Sequence, residues 1–313
     1  MPLGIIGHTD CSAHNMGDFH PEAPARMAAV HDKLASSGFE FAVRQYDAKP
    51  ISKKLLELCH EREYVNFVFA HSPAEGIFKL DPDTSMSPGT LRAALLAAGA
   101  AVNAVDLVMK GEISSAFCAT RPPGHHAERN KAMGFCVFNN VALAAAYAKQ
   151  EYDLNRIAIV DFDVHHGNGT EDIVRGRDGY LFLSTFQHPF YPFSGTGPTP
   201  DHIVNSPLPA SADSSVFRHT IEQTWIPELE RFRPELLFIS AGFDAHWEDE
   251  ISQVSLNEAD YRWVTDALKG IADKYSNGRI ISVLEGGYSL GALGRSVVAH
   301  LHGLIGGEST RSW

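Results

Sequence analysis

Short runs of aliphatic and β-branched residues alternate with longer helical patterns along almost the whole chain, and this alternation restricts the fold more than any other feature. Residues 3–7, 115–119, 157–162, 180–185, 236–241 and 280–284 have the length and composition of buried strands. Between them lie helical stretches: one opened by Pro24 ahead of residues 25–30, the alanine-rich 90–109, then 137–149, 215–231, 257–274 and 290–305. Strands that alternate with helices of this length build a mostly parallel sheet covered on both faces, because each parallel connection needs a crossover. No linker, charge run, repeat or low-complexity stretch divides the 313 residues, so one α/β domain over 1–313 is expected. Residues 187–209 and 246–255 read as loops, and long ordered loops in a compact domain are usually functional.

Composition narrows the function. Apolar residues make up 44% of the chain and charged residues 20%, which supports a sizeable core and excludes a disordered chain. No uninterrupted run of about 18 apolar residues occurs, so no membrane-spanning helix is expected. The N-terminal Met1-Pro2-Leu3-Gly4-Ile5-Ile6-Gly7 lacks a basic region and a cleavage site and reads as a first strand. Cys11, Cys59, Cys118 and Cys136 show no CxxC spacing and suit a reducing compartment, so a cytoplasmic location is expected. The formal charge of −12 argues against non-specific nucleic-acid binding. It would steer cationic substrates such as lysine side chains or polyamines, although solubility alone accounts for the same charge.

Polar clusters follow directly after predicted strands. Arg121-Pro122-Pro123-Gly124-His125-His126, Asp161-Phe162-Asp163-Val164-His165-His166-Gly167-Asn168-Gly169, Gly242-Phe243-Asp244 and Glu285-Gly286-Gly287-Tyr288 each do so. In an open α/β sheet the carboxyl edge is where ligands bind, so these clusters are expected on one rim. Residues two apart on an extended chain point the same way, which lets Asp161, Asp163 and His165 share a face. Asp163 and His165 supply an oxygen and a nitrogen ligand, and Asp244 is the best third ligand for a catalytic metal; alone, an Asp at a strand end equally reads as a cap or turn former. His125 and His126 are candidate acid and base groups, with Asp161 free to fix an imidazole tautomer; a histidine pair in a loop also reads as surface. Tyr288 could stabilise an oxyanion, and Phe135 and Phe193 could wall a narrow channel or simply pack in the core.

Taken together, these motifs resemble the zinc-dependent histone deacetylase superfamily, which includes acetylpolyamine amidohydrolases and acetoin-utilisation proteins. The similarity runs in order through His20-Pro21-Glu22, Arg26, 121–127, Gly134-Phe135-Cys136, 161–169, 240–244 and 284–288, nearly the whole chain. Residues 167–170 and 284–288 look more like class II and its bacterial relatives than class I. The resemblance implies an arginase-like three-layer fold with a central eight-stranded, mostly parallel sheet and helices on both faces. It implies one catalytic zinc on Asp163, His165 and Asp244, His126 as general base and acid, His125 as its electrostatic partner paired with Asp161, and Tyr288 on the acyl carbonyl. Phe135, Phe193, Gly134 and Gly286 correspond to the substrate channel and Asp83 to a rim carboxylate. A structural potassium ion would sit on Asp161, Asp163, His165, Ser184 and Thr185.

Asn168 stands where class I members carry a second aspartate, and Tyr288 is kept where one class II branch has histidine. Residues 246–250, His-Trp-Glu-Asp-Glu, replace the usual Gly-Asp-Pro stretch. The leading expectation is a zinc amidohydrolase that removes acetyl or other acyl groups from lysine ε-amines. The runner-up is the same chemistry on a small acylated polyamine. A two-manganese ureohydrolase would need further bridging carboxylates near Val164 and Asn168, and a silent acyl-binding scaffold would have lost part of the constellation. The expected partners are therefore an acylated lysine peptide or an acylpolyamine, with no nucleic acid or membrane, and a homo-oligomer is compatible with the sequence. The same donor set suits iron or cobalt.

Overall fold

The computed structural model of the chain describes residues 2–39 and 41–306; the expected 1–313 span also takes in residue 1, residue 40 and residues 307–313, which lie outside the described ones. In chain order the elements are β1 (Leu3–Gly7), α1 (Ala25–Ala35), β2 (Val43–Asp47), α2 (Lys53–Leu56), α3 (Arg62–Ala70), β3 (Phe78–Asp81), β4 (Thr84–Met86), α4 (Thr90–Met109), β5 (Ser115–Cys118) and α5 (Asn140–Tyr152). There follow β6 (Ile157–Asp161), α6 (Asn168–Val174), β7 (Tyr180–Gln187), β8 (Ile203–Leu208), α7 (Ser214–Thr220), α8 (Ile226–Phe232), β9 (Leu236–Ala241), α9 (Glu258–Tyr275), β10 (Ile280–Leu284) and α10 (Leu290–Ile305). A π-helical turn at Ile221–Trp225 joins α7 to α8 where a single helix over 215–231 is expected.

The sheet is eight-stranded and parallel, in the order β2-β1-β5-β10-β9-β6-β7-β8. The strands anticipated from the sequence are β1, β5, β6, β7, β9 and β10, and the two that were not anticipated, β2 and β8, are its edges. An edge strand is covered on fewer sides, so β2 has no fully buried residue and reads as polar. β8 lies inside the stretch expected to be loop and carries Pro207, whose missing N–H an edge strand tolerates.

Strand alternation feeds two cores. On β6, Ala158 and Val160 join a cluster with Met27 and Val30 of α1, Val264 and Leu268 of α9 and Val297 of α10. Ile157 and Ile159 point the other way, onto Leu96, Ala100 and Ala104 of α4 and Val141 and Ala145 of α5. Helix α4 is long and apolar enough to cross a membrane by length and composition, and 67% of its apolar window is buried, as fits a core helix wedged between sheet and α5. Helix α5 starts three residues later than expected because Asn139 caps it, its side chain accepting from the Ala142 amide.

Candidate active site

Four strand ends deliver the site: β5 leads into Arg121–His126, β6 into Asp161–His165, β9 into Asp244 and β10 into Glu285–Tyr288. These strands are contiguous in the sheet, so segments far apart in sequence meet on one rim. Only Asp161 lies within its strand; Asp163 and His165 sit in the turn that follows. The turn is held by the Asp163 amide donating to Asp161 Oδ1 (3.1 Å) and the His165 amide donating to Asp163 Oδ1 (2.9 Å).

Asp163, His165 and Asp244 each offer a donor atom, all within 4.8 Å of one another, and all three residues are buried. His165 Nδ1 lies 2.9 Å from Asp163 Oδ1 and 3.2 Å from Asp244 Oδ2. Donors sharing a tetrahedral ion at bond lengths of about 2.0–2.2 Å stand roughly 3.3 Å apart, so the spacing fits a single small dication. Asp244 Oδ1 accepts from the Val164 amide at 2.9 Å, while its buried Oδ2 has no hydrogen-bond partner among the described residues. Burial and the charge of Asp163 push the Asp244 carboxyl up to about 6, the mark of buried anions in want of a cation. No other group of three such donors is found among the described residues, and Val164 is buried in the core.

Gly286 makes the crowding possible. A Cβ there would stand 2.1 Å from Asp244 Oδ2, and its amide donates to Asp163 Oδ2 at 2.9 Å.

The two histidines differ. His125 Nδ1 donates to Asp161 Oδ2 at 2.9 Å, and its Nε2 is 3.8 Å from Asp163 Oδ2. Burial works against its charge, but Asp161 and Asp163 hold His125 well above the ordinary imidazole range. His126, whose ring centroid is 4.0 Å away, is pushed well below that range by burial and by the charges of His125 and His165. The Asn168 amide nitrogen donates to Glu128 Oε1 at 2.8 Å, which leaves Asn168 Oδ1 as an acceptor for His126 Nδ1 at 2.7 Å. His126 therefore carries its proton on Nδ1, and Nε2 is the basic nitrogen. Glu128 was not anticipated; it sets behind Asn168 the charge that the asparagine itself lacks.

Gly134 and Phe135 both adopt positive φ, +56° and +68°. A Cβ on Gly134 would lie 2.2 Å from His126 Cδ2, so only glycine lets this backbone pass the imidazole. Phe135 stands edge-on to Tyr288 at 6.0 Å and to His20 at 4.6 Å. Across from it, Tyr191 meets His126 edge-on at 5.3 Å, and Phe190 stacks on His165 at 5.3 Å. The expected wall residue Phe193 is 75% exposed instead; the loop bends so that Phe190 and Tyr191 take the inner positions. Asp83 is half-buried, and its Oδ1 accepts from the Gly134 amide (2.9 Å) and the Thr84 hydroxyl (2.7 Å), so that oxygen supports the turn at Gly134.

Tyr288 is held by charge. Arg26 donates to the carbonyls of Glu285 (2.5 Å) and Gly287 (2.7 Å), and its guanidinium lies 5.0 Å from the Tyr288 ring centroid. Arg26 is itself paired with buried Glu22 at 3.0 Å, which also binds Arg121 at 2.5 Å. Sequence alone showed these residues only as part of a resemblance, because nothing in the string says that they meet. Ser184, paired with Asp161 in the sheet, has a buried hydroxyl with no hydrogen-bond partner among the described residues, and Thr185 beside it is buried too; both fit a cation ligand set. His166 lies on the far side of the turn, 2.8 Å from Ser194 Oγ and 2.9 Å from Glu171 Oε2.

The chain as a whole is similar to several known proteins. A family model described as "Histone deacetylase domain" matches residues 20–304. "Type-2 histone deacetylase 2" of Dictyostelium discoideum is 36% identical over 96% of this chain, which spans only 20% of that protein's length. A "Probable deacetylase" of Archaeoglobus fulgidus is 37% identical, covering 94% of this chain and 83% of the relative. The crystal structure of the HDA15 HD domain superposes with a TM-score of 0.91 at 31% identity, covering 97% of this chain and 89% of that one.

Proposed function

The chain belongs to the histone deacetylase family, and on that premise we propose that it hydrolyses the amide of acylated lysine side chains with a zinc ion held by Asp163, His165 and Asp244. The observation that carries this reading is the orphaned Asp244 Oδ2 in a buried three-donor cluster beside a histidine kept neutral. When bound, the zinc would polarise the acyl carbonyl and acidify the attacking water.

The protein's own groups supply the rest. His126 Nε2 takes the water proton and returns it to the departing amine, and the Asn168–Glu128 pair behind Nδ1 holds that tautomer. His125, kept cationic by Asp161, places positive charge beside the developing oxyanion without moving a proton. The Tyr288 hydroxyl donates to the carbonyl oxygen; burial and the charges of Asp244 and Asp163 keep that phenol protonated. Phe135 and Tyr191 flank an aliphatic stem on its way in. Ser184 and Thr185 would complete a potassium site behind Asp161.

Zinc-loaded protein is expected to release acetate from an acetyl-lysine peptide, to stop on chelation and to be inhibited by a hydroxamate. Absence of turnover on every acyl-lysine tried would overturn the proposal. A parallel arm with N-acetylputrescine and acetylspermidine tests the second reading; faster turnover there would move the substrate class to small polyamines.

A further inference from the structure

The loop that leaves Asp244 does more than replace the Gly-Asp-Pro stretch that its sequence lacks. Asp249 is 5% exposed, and its Oδ2 accepts the backbone amides of Tyr288 (2.6 Å) and Ser289 (3.0 Å). Its Oδ1 accepts from the Ile251 amide at 3.2 Å. Tyr288 and Ser289 lie between the end of β10 and the start of α10, so neither a strand nor a helix takes up those two donors. They also follow Gly286 and Gly287, and Gly287 sits at φ +118°, a segment with little stiffness of its own.

We propose that Asp249 is a positioning residue for Tyr288: its buried carboxylate gathers the two amides and fixes where the phenol stands relative to the Asp163–His165–Asp244 cluster. The segment is gripped by opposite charges. Arg26 binds the carbonyls of Glu285 and Gly287, and Asp249 binds the amides that follow. Asp249 itself is fixed to the metal-site side. Its chain leaves Asp244 five residues earlier, the Ser252 hydroxyl donates back to the Asp244 carbonyl at 2.8 Å, and Glu248 is paired with Arg295 of α10 at 2.6 Å. One short loop thus sets the spacing between a proposed metal ligand and the proposed carbonyl-polarising hydroxyl. A hydrogen bond made in the transition state is sensitive to that spacing, and misplacement by about 1 Å can lower a rate on the order of 100-fold.

This inference rests on the role proposed for Tyr288, and its test separates the two. In zinc-loaded protein, Asp249→Asn is expected to lower kcat roughly 10- to 100-fold, with KM and metal content close to those of the parent. In a Tyr288→Phe background the same change is expected to add little, because the group it positions is gone. An equal fold-loss in both backgrounds, or an unchanged kcat, would overturn the proposal. Residue-resolved hydrogen exchange needs no turnover: in the parent protein the Tyr288 and Ser289 amides should be protected although they lie outside helix and strand, and Asp249→Asn should release them while the 157–161 amides stay slow. Fast exchange of those two amides in the parent sinks the anchoring role, whatever substrate the enzyme uses and whether or not the variant folds.

Discussion

At the scale of single residues, the site depends on what is missing as much as on what is present. A methyl group at position 286 would stand 2.1 Å from Asp244 Oδ2 and 2.6 Å from Asp163 Oδ2. Gly286→Ala is therefore expected to fold but to hold less than about one-tenth of an equivalent of zinc by mass spectrometry, since carboxylates pushed off geometry lose affinity steeply. The Asn168–Glu128 pair gives a second prediction. Asn168→Leu removes the acceptor that holds His126 in its Nδ1–H form and should lower kcat about 100-fold, whereas Glu128→Gln, which keeps a neutral acceptor, should cost only about 10-fold. Equal effects of the two changes on steady-state kcat would contradict the tautomer argument. His125, His126, Asp161, Asp163, His165, Asp244 and Tyr288 were legible because short motifs carry them. Glu128 and Asp249 were not, because a supporting carboxylate is recognised only by the amide it meets in space, 40 residues away for the Asn168–Glu128 bond and 39 for the Tyr288–Asp249 bond.

At the scale of elements, two neutral histidines act as ties. His60 Nδ1 donates to the Glu128 carbonyl at 2.9 Å, and its Nε2 accepts from the Asn139 amide at 2.9 Å, joining the segment after α2 to the cap of α5. His300 of α10 lies 2.6 Å from Thr265 Oγ1 of α9 and 2.8 Å from Ser282 Oγ of β10. Burial lowers His60 to about 4 and His300 to about 3. As pH falls, the unfolded chain takes up these protons near the ordinary imidazole value of about 6.5, before the folded chain does. Their stabilisation is therefore complete above about pH 6.5 and drains away towards pH 4 and pH 3; for His60 it amounts to about 3 kcal/mol. The ring resonances of His60 and His300 in the folded protein should therefore stay those of neutral imidazoles from about pH 7 to 5, and protonation of either ring near 6.5 would refute it. The sheet's central strands were legible from aliphatic runs. Its edges were not, since β2 and β8 are partly solvated and look like any polar loop.

At the scale of the whole molecule, the buried Glu22–Arg26–Arg121 cluster ties the segment before α1 to the ends of β5 and β10. Burial alone would raise the Glu22 carboxyl, but Arg121 and His14 hold it well below the usual range. Glu22→Gln leaves two buried guanidinium groups short of a partner and should cost about 3–5 kcal/mol in denaturant unfolding. That the chain closes into an eight-stranded layer was legible from the alternation of strands and helices together with the resemblance; the strand order was not, because it is set by crossovers the string does not spell out. That order has a consequence for synthesis. Among the described residues the last strand in sequence is β10, and it sits in the middle of the sheet, between β5 and β9. Until it emerges from the ribosome, the N-terminal half-sheet β2-β1-β5 and the half-sheet β9-β6-β7-β8 present bare inner edges to each other. Chains ending before residue 280 are expected to be digested rapidly by protease, and the proposed site is assembled only when β10 slots between its two neighbours.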